Sequence, residues 1–410
     1  MIKEKSVKWY KVILLFLIMY FSANSFVLVV KYAEKTVSIT LFVVALTTLV
    51  SLLKGRYRIR SNTFIVVLMC LVNILLTTVA NGYMNAYMLL IMDFILALSA
   101  IRIFSKQDFV ESYIFIMKVL SLFAIVIGLL NTSAPTALSM LKLYGGGDVN
   151  VYKDAVLSFQ MVGVNRINSI WGEPGMFAVF LIFALIFEGF YVDRAISTLN
   201  YTVFVVAIFL TFSTTGIICL LIVLFAMMLD QRRNKNSNRI ILITMLLLCL
   251  FLFVVSNVPW INDLYTQSMG KLSSENISFA GRVAPVLYNI KEGFKHFLWG
   301  RGLQGGRFFV DYSFYSGWLV CNTSTTTFIF ASFGIAYCFV TVYLMWKLAQ
   351  SCSGGNRIIG LLLFVAMLLN INTQAIHLDQ VYYLILFSVF MEDDMYYDIC
   401  EVDLMRRDSL

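Results

Sequence analysis

Apolar residues come in twelve runs along the chain, at 9–30, 37–53, 63–80, 83–101, 112–130, 174–191, 199–212, 214–229, 240–258, 323–346, 358–371 and 380–391. A helix needs about 20 such residues to cross the hydrocarbon core of a bilayer. No water reaches that core to satisfy backbone N–H and C=O groups, so each run must satisfy its own as a helix. The alternating ten-residue segments of a membrane barrel do not recur. The pattern therefore predicts an all-α integral membrane protein, a single polytopic domain over 1–410 with about twelve transmembrane helices.

The stretch 199–229 tests that number. As one helix its 31 residues would reach about 46 Å, against a core of about 30 Å. Thr211, Ser213, Thr214, Thr215 and Gly216 interrupt it, with Arg194 before it and Arg232, Arg233, Lys235 and Arg239 after it. Two short helices meeting at the Ser/Thr/Gly turn reconcile the length with those charges. Non-helical backbone at that depth is tolerated where it lines a cavity.

Charge then orients the runs. Lys54, Arg56, Arg58 and Arg60 follow the second run and Arg102 and Lys106 the fourth, whereas the loop between the first two holds only Lys31 and Lys35. By the positive-inside rule both termini are expected in the cytoplasm. Two long segments, 131–172 and 259–322, fall outside. In the second, Val283, Leu287, Ile290, Phe294 and Phe297 recur at spacings of four and three, with Lys291 and Lys295 on another face. That spacing predicts an amphipathic helix lying flat at the membrane surface over the bundle.

Composition agrees. Hydrophobic residues make up 60% of the chain and charged ones only 13%, against about a quarter charged in soluble proteins. The formal net charge of +8 gathers in loops on one side, so it points to the lipid bilayer as partner and not to nucleic acid. Lys3, Lys5 and Lys8 precede a first run too long for a signal-peptide core and without a small-residue cleavage site, which makes it an uncleaved helix. Of the seven cysteines only Cys321 falls in an exterior loop, and neither a disulfide framework nor a zinc-ligand spacing exists. Walker loops, HExxH, nucleophile elbows and dinucleotide fingerprints are absent. No metal or cofactor is expected.

A few polar residues could carry chemistry. Asp93 lies mid-run, where a carboxylate costs about 2.5–3.5 kcal/mol, and Lys118 lies at a similar height in the next run. The pair is read as mutually neutralising, with a proton or ion pathway as the alternative. The stretch Arg166-Ile-Asn-Ser-Ile-Trp-Gly-Glu-Pro-Gly-Met-Phe puts Pro174 in the first turn of a helix and Glu173 at the positive end of its dipole. Glu173 is then either a helix-end carboxylate paired with Arg166 or a base at the outer mouth of the bundle. Further on come Gly281-Arg282, Gly300-Arg301-Gly302 and Arg307. A guanidinium fork bonds two phosphate oxygens at once, and flanking glycines allow close backbone approach. These arginines bind either a substrate phosphate or anionic lipid. Of the two histidines, His296 and His377, the latter stands between the last two runs, facing the same mouth as Glu173.

In order and spacing these pieces resemble the O-antigen and exopolysaccharide polymerases (Wzy type), relatives of the O-antigen ligases. The resemblance covers essentially the whole chain. It rests on Arg166…Trp171-Gly-Glu173-Pro-Gly entering a helix, Gly281-Arg282 in a late exterior loop, Trp299-Gly-Arg301-Gly, and Asn322 before a helix carrying Phe333-Gly334. Where the family commonly has a His-Asn pair, this chain reads Cys321-Asn322, which moves the base role to Glu173 or His377. The resemblance implies glycosyl transfer on the outer face of the bacterial cytoplasmic membrane. The donor would be a glycan on undecaprenyl diphosphate, and the acceptor a hydroxyl of the next lipid-linked repeat unit. Arg166, Arg282 and Arg301 would bind the diphosphate and Asn322 another part of the substrate. A chain-length regulator and a repeat-unit flippase would be partners. A lipid-linked oligosaccharide flippase is the rival reading, although repeated halves are not visible. An O-antigen-ligase-like transferase would differ in its acceptor alone.

Overall fold

The computed structural model describes residues 8–81, 85–144, 151–162, 165–191, 196–230, 235–257, 262, 266, 277–303, 309–311, 319–321 and 324–392. Its helices in chain order are α1 Trp9–Tyr20, α2 Thr36–Lys54, α3 Ser61–Asn81, α4 Asn85–Ile103, α5 Lys106–Ser133, α6 Pro174–Phe190, α7 Thr198–Thr211, α8 Thr214–Leu229, α9 Lys235–Asn257, α10 Ile277–Lys295, α11 Thr325–Cys352, α12 Arg357–Ile371 and α13 Gln380–Phe387. The segments Ala33–Lys54, Ser61–Ala80, Lys106–Ser133 and Thr325–Cys352 are long and apolar enough to cross a membrane, and several shorter apolar helices accompany them. This mostly helical architecture is compatible with an all-α membrane protein.

Helix α6 is apolar on every face, and Phe177 to Phe190 are all buried, as expected of a helix at the centre of a bundle. Helices α5, α7, α8 and α12 pack around it. On the periphery, α2 and α3 expose Phe42, Leu49 and Leu52, and Phe64, Leu68, Leu75 and Val79. Lipid tails are as apolar as leucine, so close packing and interhelical hydrogen bonds hold such a bundle. One example is Tyr113 of α5, whose hydroxyl donates to Phe180 O of α6 at 3.0 Å. Ser105, Ser197, Ser213, Asn356 and Asp379 begin α5, α7, α8, α12 and α13 as side-chain caps, satisfying N–H groups that a helix cannot satisfy itself.

The division of 199–229 is present. Helix α7 ends at Thr211, Phe212 takes a left-handed conformation (φ 47°), and Ser213 caps α8. The first run differs. It is helical only to Tyr20, turns over 21–25, and resumes as a π-helical turn over Val27–Lys31. The break is tertiary in origin: Ala23 N donates to Gln380 Oε1 at 2.6 Å, and Phe26 N donates to Ile170 O at 2.8 Å. The pairing of Asp93 with Lys118 does not form either. Asp93 Oδ1 accepts from Gln380 Nε2 at 2.7 Å. The segment 131–172 is not a plain loop, since it carries a small antiparallel sheet of β1 Leu143–Tyr144, β2 Tyr152–Asp154 and β3 Phe159–Met161, with Tyr144 opposite Tyr152 and Lys153 opposite Gln160. A second pair, β4 Phe309–Asp311 and β5 Leu319–Cys321, lies in 259–322. Helix α10 forms there as the spacing predicts, and its polar side packs on α11. Its apolar stripe of Leu287, Ile290 and Phe294 is exposed, while Asn289 is buried and Gly293 abuts Phe330 of α11.

Candidate functional site

The helix ends sort into two groups. At one end, Lys11 pairs with Asp108, Lys106 bonds Ser351, and Arg60 approaches Glu392 at 3.5 Å. There too Arg56 N donates to Arg102 O at 2.9 Å. The other end gathers the start of α6, the start of α11, the turn 372–379 between α12 and α13, and α10. Of the sequence-derived candidates, Glu173, His377 and Arg301 lie in that second group.

Arg301 is placed by backbone. Helix α11 breaks at Gly334, which has φ 80° and ψ −174°. The groups freed by the break are taken up by the segment before Arg301 and by its own amide. Arg301 N donates to Ala331 O at 2.8 Å, Gly302 N to Ser332 O at 3.0 Å, and Ile335 N to Phe297 O at 2.9 Å. Glycine is required on both sides of this contact. Gly300 and Gly334 have positive φ, and a Cβ on Gly300 would lie 2.2 Å from the Ser332 carbonyl, one on Gly334 2.2 Å from Leu298 O. Thr77 of α3 donates to Trp299 O at 2.8 Å and completes the clamp. The Arg301 guanidinium, partly buried, lies 5.3 Å from the Tyr288 ring and donates to the Tyr288 hydroxyl at 3.3 Å. Among the described residues its buried Nε has no hydrogen-bond partner.

Glu173 is exposed and immediately precedes α6. Its carbonyl accepts from Met176 N and Phe177 N at 3.1 and 3.2 Å, but its side chain makes no cap hydrogen bond. The carboxylate is therefore not used to start the helix. Trp171, fully buried, stacks on Phe177 and Phe180 with ring centroids 5.6 and 4.6 Å apart, which fixes the direction from which the chain enters α6. Gly175 lies against Gln374, whose amide nitrogen would be 2.3 Å from an added Cβ. From there polar contacts run on to Arg301. The Thr325 hydroxyl donates to Gln374 O, Ser324 Oγ bonds Thr327 Oγ1 at 2.6 Å, and Asn289 Nδ2 donates to Thr327 Oγ1 at 3.2 Å. Asn289 adjoins Tyr288, which holds the arginine. Polar contacts thus link the turn beside Gly175 to the start of α11 and, through Asn289, to α10.

Arg166 reaches the end of a neighbouring helix. Its Nε donates to Thr211 O at 2.7 Å and its Nη2 to Phe212 O at 3.3 Å, capping the end of α7 where the chain turns into α8. His377 is buried, its ring 4.2 Å from that of Phe328, and burial pushes its imidazole down to about 3. It stands behind the mouth as a neutral ring, with its carbonyl accepting from Tyr383 Oη at 3.1 Å. Arg282 belongs to α10, with its side chain outside the described residues, as is all of Asn322 and Arg307. Tyr288, Asn289 and Thr327 escape a reading of the sequence. The only local signal for them is an asparagine beside the apolar stripe of α10. Compared with known proteins, the chain matches no family model, no curated protein and no solved structure.

Proposed function

We propose that the chain is a membrane glycosyltransferase that polymerises undecaprenyl-diphosphate-linked oligosaccharide repeat units on the outer face of the bacterial cytoplasmic membrane. What supports this reading is an exposed carboxylate at the start of α6 whose side chain makes no cap bond, Glu173, together with a guanidinium fixed by backbone, Arg301. In the proposed reaction an acceptor hydroxyl attacks the anomeric carbon of the donor glycan. The new C–O bond forms as the bond to diphosphate breaks, and the diphosphate leaves with the electron pair. Glu173 takes the hydroxyl proton. Arg301, with Arg282, meets the charge developing on the leaving group, where preorganised donors act most strongly. His377 shapes the wall behind Glu173, and Asn322 contacts another part of the substrate. A chain-length regulator and a repeat-unit flippase are the proposed partners.

Helix interruptions favour a second reading, because transporters build their sites from discontinuous helices. A lipid-linked oligosaccharide flippase would move the substrate without lengthening it. Incubating purified protein with lipid-linked repeat units separates the two, since only a polymerase yields a ladder of products. Transfer to a different lipid acceptor without a ladder would identify a ligase. Sidedness is checked by cysteine labelling in intact cells. A cysteine at Ser61 should be shielded from an impermeant reagent and one at Ser274 should react; the reverse pattern inverts the proposed topology.

A further inference from the structure

We infer that the groove between α1 and α2 binds a bilayer phospholipid of net negative charge, with an acyl chain along the two helices and its phosphate at Lys54. The groove is an open cavity of about 250 Å³, lined by Tyr10, Ile13 and Leu17 from α1 and by Leu46, Val50 and Lys54 from α2. On each helix these residues recur at spacings of three and four, so each set forms a single stripe. From Leu46 to Lys54 the stripe on α2 rises about 12 Å. Its walls are apolar up to the level of Lys54, whose Nζ lies 4.6 Å from the centroid of the Tyr10 ring. At this end of the bundle Lys11, Lys106 and Arg60 meet Asp108, Ser351 and Glu392. Lys54 is exposed, and among the described residues no carboxylate pairs with it.

A second groove shows what the first one adds. It lies on the other side of α1, is about 150 Å³ in volume, and runs between Val12 and Phe16 of α1 and Ile116 and Val119 of α5, with no charged residue in its lining. It has room for an acyl chain and nothing to hold a head group. Of the two, the groove against α2 alone joins an apolar trough to a cation at its end, which is the shape of an amphiphile. Lysine lays its methylenes along apolar surface and keeps its ammonium at the polar level, where a phosphate of the same leaflet stands. Arg56 and Arg58 follow it, both exposed, and basic residues so placed draw anionic lipid. A zwitterionic lipid brings its own cation against these three, so net charge decides which lipid is held. The site lies at the end of the bundle away from Glu173 and Arg301 and is independent of the glycosyl-transfer reading.

The test is thermal unfolding of the purified full chain in a neutral detergent, with phosphatidylglycerol or phosphatidylcholine of the same acyl chains added. Phosphatidylglycerol should raise the midpoint saturably, by about 2 °C or more beyond phosphatidylcholine. Lys54→Gln should erase the difference. Val50→Trp fills the groove and should erase it too; if that variant does not fold, Leu53→Trp, at a more exposed position of the lining, takes its place. Val119→Trp, in the groove against α5, should leave the difference as it is. Equal midpoints in the two lipids for the unaltered chain overturn the proposal. So does a difference that survives in Lys54→Gln or in the groove-filling variant, or that disappears in Val119→Trp. A lipid-independent dimer that the groove-filling variant breaks apart would put a second copy of the chain in the groove, and overturns it as well.

Discussion

At one end of the bundle Lys11 meets Asp108, Lys106 meets Ser351 and Arg60 meets Glu392. At the other end α1 and α11 are interrupted, the last two helices are joined by a buried turn, and the loose backbone groups are taken by residues far away in sequence. The first arrangement needs only complementary side chains, and many substitutions would satisfy it. The second needs particular residues: glycine where backbones touch, an amide where a helix must stop, an arginine where carbonyls are left over. A helix break costs hydrogen bonds, and a fold keeps several at one end only if the opened backbone is used. That is the physical reason for placing function at the end that holds Glu173 and Arg301.

The sharpest way to break this comparison is to fill the contact between Gly300 and the α11 break. Gly334→Ala would set a Cβ against Leu298 O and hold a non-glycine residue at positive φ, a strain of about 1–3 kcal/mol before any clash. Little monodisperse protein is expected from Gly334→Ala or Gly300→Ala, as read by size-exclusion chromatography and thermal unfolding. Normal yield and stability would mean that the break is not clamped. Next in size is the guanidinium itself. Arg301→Ala and Arg301→Lys should both lower polymer formation by on the order of tenfold to a hundredfold at matched protein levels, the worth of one charge-assisted hydrogen bond. Rescue by lysine would reduce the role of Arg301 to simple charge. Smaller still is Arg166→Lys, which loses the fork over Thr211 and Phe212. It should cost about 1.5–3 kcal/mol of stability while the folded fraction keeps its activity. A loss of activity without a loss of stability would return Arg166 to the substrate.

Much of the helical layout was legible because its causes are local. Run length and period place most helices, the Ser/Thr/Gly interruption with its flanking arginines divides α7 from α8, and the four-and-three spacing marks α10. What was hidden depends on partners distant in the chain. The first run looks continuous from 9 to 30, since nothing nearby announces that Ala23 N will donate to Gln380. Asp93 and Lys118 suggest a pair by height alone, but Gln380 reaches the carboxylate first. Which residues of α10 meet α11 is set by Asn289 and the small Gly293, which a count of apolar positions cannot weigh. The motif around Arg166 also gives no sign that its guanidinium reaches two carbonyls at the end of α7. Asn322 and the Arg282 side chain lie outside the described residues; the assignment of Asn322 rests on the resemblance, and that of Arg282 on the resemblance and on its place beside Gly281 in the sequence.

The central claim is that Glu173 acts on a substrate and does not merely begin α6. The most direct test compares the unaltered chain with Glu173→Gln, purified at equal amounts and incubated with lipid-linked repeat units. Gln keeps the shape and removes the basic carboxylate, and unfolding midpoints of both proteins are read alongside to separate a folding defect from a loss of activity. The unaltered chain should produce a ladder and the variant none. A full ladder from Glu173→Gln, or none from the unaltered chain, would contradict the account.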